Sequence, residues 1–68
     1  MNKYKLIFEW KRPDGKWSKT EDWCYHDTAQ GAYNHLCSLI SEEYDEWRDY
    51  GLHKLGDFGW DRVQGGYE

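Results

Sequence analysis

The sequence predicts an α+β domain in which one helix packs on one face of a three-stranded antiparallel sheet, with strand order 2-1-3. Residues 4–26 hold two alternating apolar and polar segments around a turn, which is the pattern of a β-hairpin. An apolar stripe at spacings of three and four follows, and a short segment with rings and a valine comes last. With 68 residues, the chain is expected to form a single domain over 1–68.

The first two strands are predicted over Tyr4–Lys11 and Trp17–His26. In the first strand, alternate residues share one face, and these residues are Tyr4, Leu6, Phe8 and Trp10. Pro13 and Gly15 suit the turn, because proline presets φ and glycine accepts a positive φ. Two adjacent acids, Glu21 and Asp22, interrupt the second pattern, and we expect a β-bulge there.

The helix is predicted to begin after Asp27 and to run to about Asp49. Asp27 can cap the free backbone N–H groups, with Gln30 three residues later as in a capping box. Gly31 would allow close approach to the sheet, and Gly51 would cap the C-terminus. The apolar stripe consists of Ala29, Ala32, Tyr33, Leu36, Ile40, Tyr44 and Trp47.

Leu52–Asp57 is predicted as a loop and Phe58–Gln64 as the third strand. Because the helix returns the chain, this strand should run parallel to the second strand and pair with the first. The helix then covers one sheet face and leaves the other open, which makes the open face an interaction surface. The expected core contains Leu6, Phe8, Trp10, Tyr33, Leu36, Ile40 and Val63.

Aromatic residues are unusually numerous in this chain. Five Trp, six Tyr and two Phe stand against eight Leu, Ile and Val residues in total. A domain this small cannot hide so many rings, so several should lie at the surface. Rigid rings with a polar tip are frequent anchors of binding sites, and the sequence therefore favours a recognition module.

The net charge of -4 hides a segregation along the chain, because residues 1–20 carry +4 and residues 21–50 carry -7. Acids in the second half of the predicted helix oppose the helix dipole. We hypothesise that they form a patch for a protein or complex with a basic surface, although an ordinary solvated face is the alternative. The candidate binding residues are the acids Glu42, Glu43, Asp45, Glu46 and Asp49, with Trp23, Tyr44 and Trp47 as ring anchors. Tyr44 and Trp47 also fit the core.

Two other functions stay open at this point. Basic residues interleaved with rings in the N-terminal hairpin could bind single-stranded nucleic acid, although the overall negative charge argues against direct binding. These residues are Lys3, Lys5, Lys11, Arg12, Lys16 and Lys19, with Trp10, Trp17 and Trp23. The third alternative is a homodimer that pairs its open sheet faces, so either a monomer or a homodimer is compatible with the sequence.

Catalytic and metal-binding patterns are weak. Cys24, His26, His35 and Cys37 form two Cys/His doublets that could in principle bind zinc. On a helix, however, His35 and Cys37 diverge by about 200°. No nucleophile motif or phosphate loop is present, so we expect no cofactor, no metal and no enzymatic activity. We expect the two thiols to be reduced.

The longest apolar run is three residues, Leu6 to Phe8, far short of the roughly 20 residues that span a bilayer. The N-terminal residues lack the apolar core of a signal peptide. These features predict a cytoplasmic protein without a membrane partner.

Two passages carry a resemblance in layout that covers about residues 4–64. They are Trp23-Cys-Tyr-His-Asp27-Thr-Ala-Gln-Gly-Ala32 and Phe58-Gly-Trp60-Asp-Arg-Val63. Their strand, cap, helix and strand arrangement resembles that of small phage-encoded host-modulating proteins, among them anti-CRISPR proteins and an inhibitor of bacterial RNA polymerase. The resemblance implies a phage or mobile-element protein that inhibits a bacterial nucleic-acid-handling complex in the host cytoplasm. It transfers no functional residue.

Overall fold

A computed structural model describes residues 1–66, which form four strands and one helix. The elements are β1 (Asn2–Lys11), β2 (Trp17–His26), α1 (Ala29–Glu43), β3 (Trp47–Gly56) and β4 (Gly59–Gln64). All neighbouring strands are antiparallel, in the order β2-β1-β3-β4. The α+β class with one helix and an antiparallel sheet is confirmed, but the prediction of three strands is wrong.

The hairpin of β1 and β2 has the predicted bounds within two residues and pairs without interruption, from Asn2 opposite His26 to Lys11 opposite Trp17. The bulge expected at Glu21 and Asp22 is absent from this ladder. These two acids project to opposite faces of the strand, and each finds solvent or a partner without distorting the backbone. The turn has Gly15 at φ +86°, as predicted.

The start of α1 lies one residue later than predicted. Thr28, rather than Asp27, is the N-cap, and its side-chain oxygen accepts a hydrogen bond from the Gly31 N–H at 3.1 Å. Gly31 does allow close approach, because a Cβ at this position would collide with the imidazole of His26. The first turn of α1 thus packs closely against the end of β2, and this close packing requires the missing side chain of Gly31.

The helix ends at Glu43, so its predicted extension to Asp49 is wrong. Tyr44 is the C-cap in extended conformation, and its N–H donates to the Ile40 carbonyl at 2.8 Å. The last turn contains Glu42 and Glu43 and no basic residue. Negative charge at this position is unfavourable, because the C-terminal end of the helix dipole is itself negative.

The missed strand is β3, which combines the predicted end of the helix with the predicted loop. It lies beside β1 with Leu52 opposite Leu6, and β4 pairs with β3 instead of with β1. The last strand therefore runs in the same direction as β1, opposite to the prediction. Gly51 is not a helix cap but lies within β3 at φ +120°, next to a register shift opposite Ile7 and Phe8.

The core lies between α1 and one face of the sheet. Of the predicted core, the four aliphatic and phenyl side chains of Leu6, Phe8, Leu36 and Ile40 are buried, while Trp10 and Tyr33 pack around them partly buried. Val63 is exposed, because it lies on the edge strand β4 rather than beside β1. The complete buried set is Tyr4, Leu6, Phe8, Ala32, Leu36, Ile40 and Leu52.

Most of the rings remain in contact with solvent, as the composition predicts. Among residues 1–66, Tyr4 and Phe8 are the two buried aromatic side chains. Trp17, Trp23 and Tyr25 are 37%, 49% and 61% exposed, and Phe58 is fully exposed at the turn between β3 and β4. The described part of the chain contains no helix that is both long and apolar enough to cross a membrane.

Candidate functional site

The sheet face opposite α1 collects most of the exposed rings. Even-numbered residues of β1, such as Leu6 and Phe8, point toward the helix, so the odd-numbered residues of β1 and β2 point away from it. We call this uncovered surface the open face. It carries rings from β2, β3 and β4, together with cationic side chains from β1, β2 and β3.

One cluster of the open face is organised by Glu9. Its carboxylate accepts hydrogen bonds from the Tyr50 hydroxyl at 2.8 Å and from Arg48 Nε at 3.0 Å. The Arg48 guanidinium lies 4.0 Å from the centroid of Trp17, and Lys19 Nζ lies 4.3 Å from that of Tyr50. The Tyr50 hydrogen bond, followed by Arg48, lowers the pKa of Glu9, although burial opposes the shift. The Glu9 carboxylate therefore holds Tyr50 and Arg48 directly, and these two side chains in turn contact Lys19 and Trp17.

A second cluster lies at the other end of the open face. Lys3 Nζ is 4.3 Å from the centroid of Trp23 and 5.8 Å from that of Tyr25, and Lys5 Nζ is 4.5 Å from that of Trp60. Trp23 and Trp60 meet edge to face, with 5.4 Å between centroids. Cations above ring faces are attracted by the ring quadrupole, so these side chains hold one another in place.

Glu21 joins this second cluster from the middle of β2. Its carboxylate lies 3.5 Å from Lys5 Nζ and accepts a hydrogen bond from Trp23 Nε1 at 3.0 Å. The Lys5 side chain is 15% exposed, whereas Glu21 remains open to solvent. The indole of Trp23 is therefore oriented by a hydrogen bond at one end and a cation over its face.

The charge of the open face differs in sign from that of the whole chain. Its two clusters contain four cations, Lys3, Lys5, Lys19 and Arg48, against the carboxylates of Glu9 and Glu21, a net charge of +2. Since the chain carries -4, the remaining residues together carry -6. The fold thus separates a basic aromatic face from an acidic remainder.

The predicted acidic site is not assembled as a unit. Glu42 and Glu43 lie in the last turn of α1, and Asp45 and Glu46 lie in the loop before β3. Asp49 is in β3, where it accepts hydrogen bonds from the Tyr33 hydroxyl and from the Gly51 N–H.

The three predicted ring anchors also separate. Trp23 lies on the open face, away from the helix end. Tyr44 and Trp47 pack against Phe8, with centroids at 5.6 and 6.1 Å, which is the core role that the sequence left open for them.

A groove at the hairpin end of the molecule retains part of the acidic site. It has a volume of about 650 Å³ and lies between the β1–β2 turn and the loop that follows α1. Trp10 and Tyr44, whose ring centroids are 4.9 Å apart, lie beside its acids Glu43, Asp45 and Glu46. Glu46 is also within 3.6 Å of Lys11 Nζ.

Sequence reasoning missed Glu9, Arg48, Tyr50 and Trp60 as members of the surface. Arg48 and Tyr50 share one face of β3, and the alternation of residues 48 and 50 could have indicated a strand. This pattern was not recognised, because Tyr44 and Trp47 also fit the helical stripe. Of the three tryptophans assigned to the basic hairpin, Trp17 and Trp23 lie on the open face, whereas Trp10 packs against the core.

The Cys/His doublets do not converge. Within residues 1–66, no three His, Cys, Asp or Glu side chains are grouped so that they could share a metal ion. Cys24 and Cys37 are free thiols, and burial raises the pKa of both. A raised pKa disfavours the thiolate, which is the reactive form.

Comparisons with protein-family models, curated proteins and solved structures found no match. The resemblance to small phage-encoded proteins stays a prediction from the layout.

Proposed function

We propose that the protein is a binding module whose open face takes up single-stranded nucleic acid. The observation that carries this proposal is the placement of rings and cations together on one uncovered sheet face, away from most of the acids. The rings would stack on bases, and the lysines would neutralise phosphates.

The exposed rings provide the stacking positions. Trp17, Trp23 and Tyr25 lie on the same side of β2. An extended strand places Trp23 about 7 Å from Tyr25 and about 20 Å from Trp17. Arg48 and Lys3 approach two of these rings and restrict their motion. Rings that are fixed before binding lose little conformational freedom when a base stacks on them.

The charge of the open face removes the main argument against nucleic acid. That argument was the net charge of -4 of the whole chain, but the two ring clusters carry +2. Glu43, Asp45 and Glu46 instead line the groove at the end of the molecule. A polyanion that lies along β1 and β2 therefore meets cations before it meets these acids.

A single strand fits this surface better than a duplex. Its bases are unstacked and can lie on aromatic side chains, whereas a duplex presents its phosphates and buries its base faces. The ring and cation side chains of the two clusters all belong to strands β1, β2, β3 and β4.

The test is fluorescence anisotropy with labelled oligo(dT) and oligo(U) of about 12 nucleotides, a length within the usual site sizes for such surfaces. Binding should weaken steeply with salt. If four cations each neutralise one phosphate, log K should fall with log salt with a slope of about -3. An unlabelled duplex should compete poorly.

Matched ring variants locate the site. Trp23→Ala and Trp17→Ala should each weaken binding by about 1–3 kcal/mol, the usual value of one base stacked on a ring. Phe58→Ala is the control, because Phe58 is fully exposed but lies in the β3–β4 turn. Absence of oligonucleotide binding at low salt, or equal losses in all three variants, would reject the proposal.

A protein partner with a basic surface is the second candidate, and the groove favours it. Glu43, Asp45 and Glu46 lie there beside two partly buried rings, which suits an arginine side chain of a bacterial target.

The probe is a labelled Arg-rich peptide. The affinity of the protein for this peptide should fall in the Glu43→Gln and Asp45→Asn variants. It should not fall in Glu42→Gln, because Glu42 does not line the groove. Equal affinity for all three variants would exclude this site.

A further inference from the structure

We propose that two copies of the chain pair through the outer edges of their β2 strands. The pairing is antiparallel, has its twofold axis at Thr20 and joins the two sheets into one eight-stranded sheet. The inference stands on the geometry of β2 and does not depend on nucleic-acid binding.

The outer edge of β2 is long and, in the described part of the chain, carries no neighbouring strand. Within residues 1–66, β1 is its single neighbour in the sheet, and all ten residues from Trp17 to His26 pair with β1 in one register. Proteins usually protect exposed edges with charged side chains, proline, a bulge or a short strand. β2 has no proline and no bulge, and its charged residues Lys19 and Glu21 are of opposite sign, so they can pair across a twofold axis. The opposite edge, β4, is only six residues long.

The hairpin closure shows which backbone groups point outward. Arg12 N–H donates to the Lys16 carbonyl at 2.7 Å, so the pair of residues 12 and 16 is hydrogen-bonded. Hydrogen-bonded and non-hydrogen-bonded pairs alternate along an antiparallel ladder. Thr20 therefore bonds to β1, while Lys19 and Glu21 direct their N–H and C=O groups to the outer edge.

Among the axes at residues 19 to 22, in the middle of β2, the side chains favour one register. An axis through Lys19 or Glu21 would place like charges directly opposite each other, and an axis through Asp22 would oppose two aspartates. An axis at Thr20 places Lys19 of each copy opposite Glu21 of the other, and Trp17 opposite Trp23. Thr20 then faces its own copy, a favourable cross-strand pair.

In the single chain, the side chains of Lys19 and Glu21 contact neighbours on the open face, and pairing would add a contact between them across the two copies. Lys19 lies 4.3 Å from the Tyr50 centroid, and Glu21 is held by Lys5 and Trp23. Lys19, Thr20 and Glu21 are all exposed. In this register, residues 17, 19, 21 and 23 of one copy oppose residues 23, 21, 19 and 17 of the other. Each of these four pairs exchanges two backbone hydrogen bonds, which gives about eight bonds between the copies.

Sedimentation equilibrium of the full chain and of two charge variants tests the pairing. The wild-type protein should show a mass of twice the 8.3 kDa chain. Lys19→Glu alone and Glu21→Lys alone should each weaken the dimer by about tenfold or more, because each places like charges in both symmetric pairs. An equimolar mixture of the two variants should recover dimerisation, since every opposed pair in the heterodimer is again of opposite sign.

Cysteine cross-linking tests the register separately. Thr20→Cys, in a Cys24→Ala, Cys37→Ser background verified by circular dichroism, should form a disulfide dimer under mild oxidation. Opposed residues in such a non-hydrogen-bonded pair lie about 4.5 Å apart at Cα, within disulfide range. Ser18→Cys in the same background is the control, because its two thiols would be displaced by four residues, about 13 Å.

Three results would overturn the proposal. They are a monomeric wild-type protein at millimolar concentration, failure of the mixed charge variants to associate, and cross-linking of Ser18→Cys as fast as that of Thr20→Cys.

Discussion

The indole rings of Trp23 and Trp60 meet edge to face although their strands, β2 and β4, form opposite edges of the sheet. The two side chains reach across β1 and β3, and the Lys5 ammonium lies 4.5 Å from the Trp60 centroid. The contact therefore links the two outer strands across the open face.

This ring pair should contribute measurably to stability. In a double-mutant cycle of Trp23→Ala and Trp60→Ala, the expected coupling is about 0.5–1.5 kcal/mol, the usual worth of an aromatic pair beyond its buried area. Urea unfolding followed by circular dichroism gives the four free energies. The cycle of Trp23→Ala with Phe58→Ala serves as the control and should show additivity; coupling of the same size there would contradict a specific ring contact.

The two leucines of the second half of α1 allow a direct test of the core. Leu36 is fully buried, whereas Leu39 is largely exposed on the same helix. Leu36→Ala should destabilise the protein by about 2–5 kcal/mol, because it removes apolar contacts and leaves a cavity. Leu39→Ala should change the free energy of unfolding by less than about 0.5 kcal/mol. Similar melting temperatures for the two variants would mean that the buried face of the helix is misassigned.

Gly31→Ala should lower stability even though alanine is the better helix former. Alanine gains about 1 kcal/mol in helix propensity. Its Cβ would collide with the His26 ring, whose Nδ1 accepts the Thr28 N–H at 3.4 Å, and overpacking of this kind costs about 1–3 kcal/mol.

The partner of this test is His26→Ala, which removes the obstructing ring. Thermal unfolding of Gly31→Ala in the His26→Ala background should show stabilisation, a reversal of sign. If Gly31→Ala stabilises the protein with His26 present, the close approach has no energetic consequence.

Tyr33 should make stability depend on alkaline pH. The hydrogen bond to Asp49, aided by burial, raises the pKa of the Tyr33 phenol above its ordinary value of about 10. The folded protein then binds the phenolic proton more tightly than the unfolded chain does. Its contribution is fully present below about pH 10 and is lost as the pH rises above that value.

Tyr33→Phe measures this contribution. The variant should be about 1–2 kcal/mol less stable at neutral pH, through loss of a hydrogen bond to a carboxylate. The difference from the wild-type protein, measured by urea unfolding at several pH values, should shrink above about pH 10. Tyr25→Phe is the control, since Tyr25 is exposed, and a parallel pH dependence in both variants would refute the role of Asp49.

The sequence predicts those elements whose local pattern is unambiguous. The alternation of Leu6 and Phe8 with polar neighbours predicts β1, and the stripe through Leu36 and Ile40 predicts α1. The excess of rings also predicts exposed aromatics, but it does not determine which rings are exposed, and two of the three predicted ring anchors, Tyr44 and Trp47, pack against the core.

The failure at residues 44–56 has a specific physical cause. Tyr44 and Trp47 contact the core from a cap and from a strand, yet their spacing from Ile40 equals that of helical neighbours. Tertiary pairing of Leu52 with Leu6 decides in favour of a strand, and this pairing joins residues far apart in sequence. The open face could not be assembled without β3, because Arg48 and Tyr50 belong to it.

The placement of β1 between β2 and β3 also has a consequence for folding. The central ladder joins residues as distant as Tyr4 and Lys54, and even its nearest pair, Trp10 and Trp47, closes a loop of about 40 residues. On the ribosome, the hairpin would emerge with its apolar side uncovered until α1 had been synthesised, and β1 would gain its second neighbouring strand only after β3 had followed. Formation of the native state should therefore be late during translation and slow for a chain of this size.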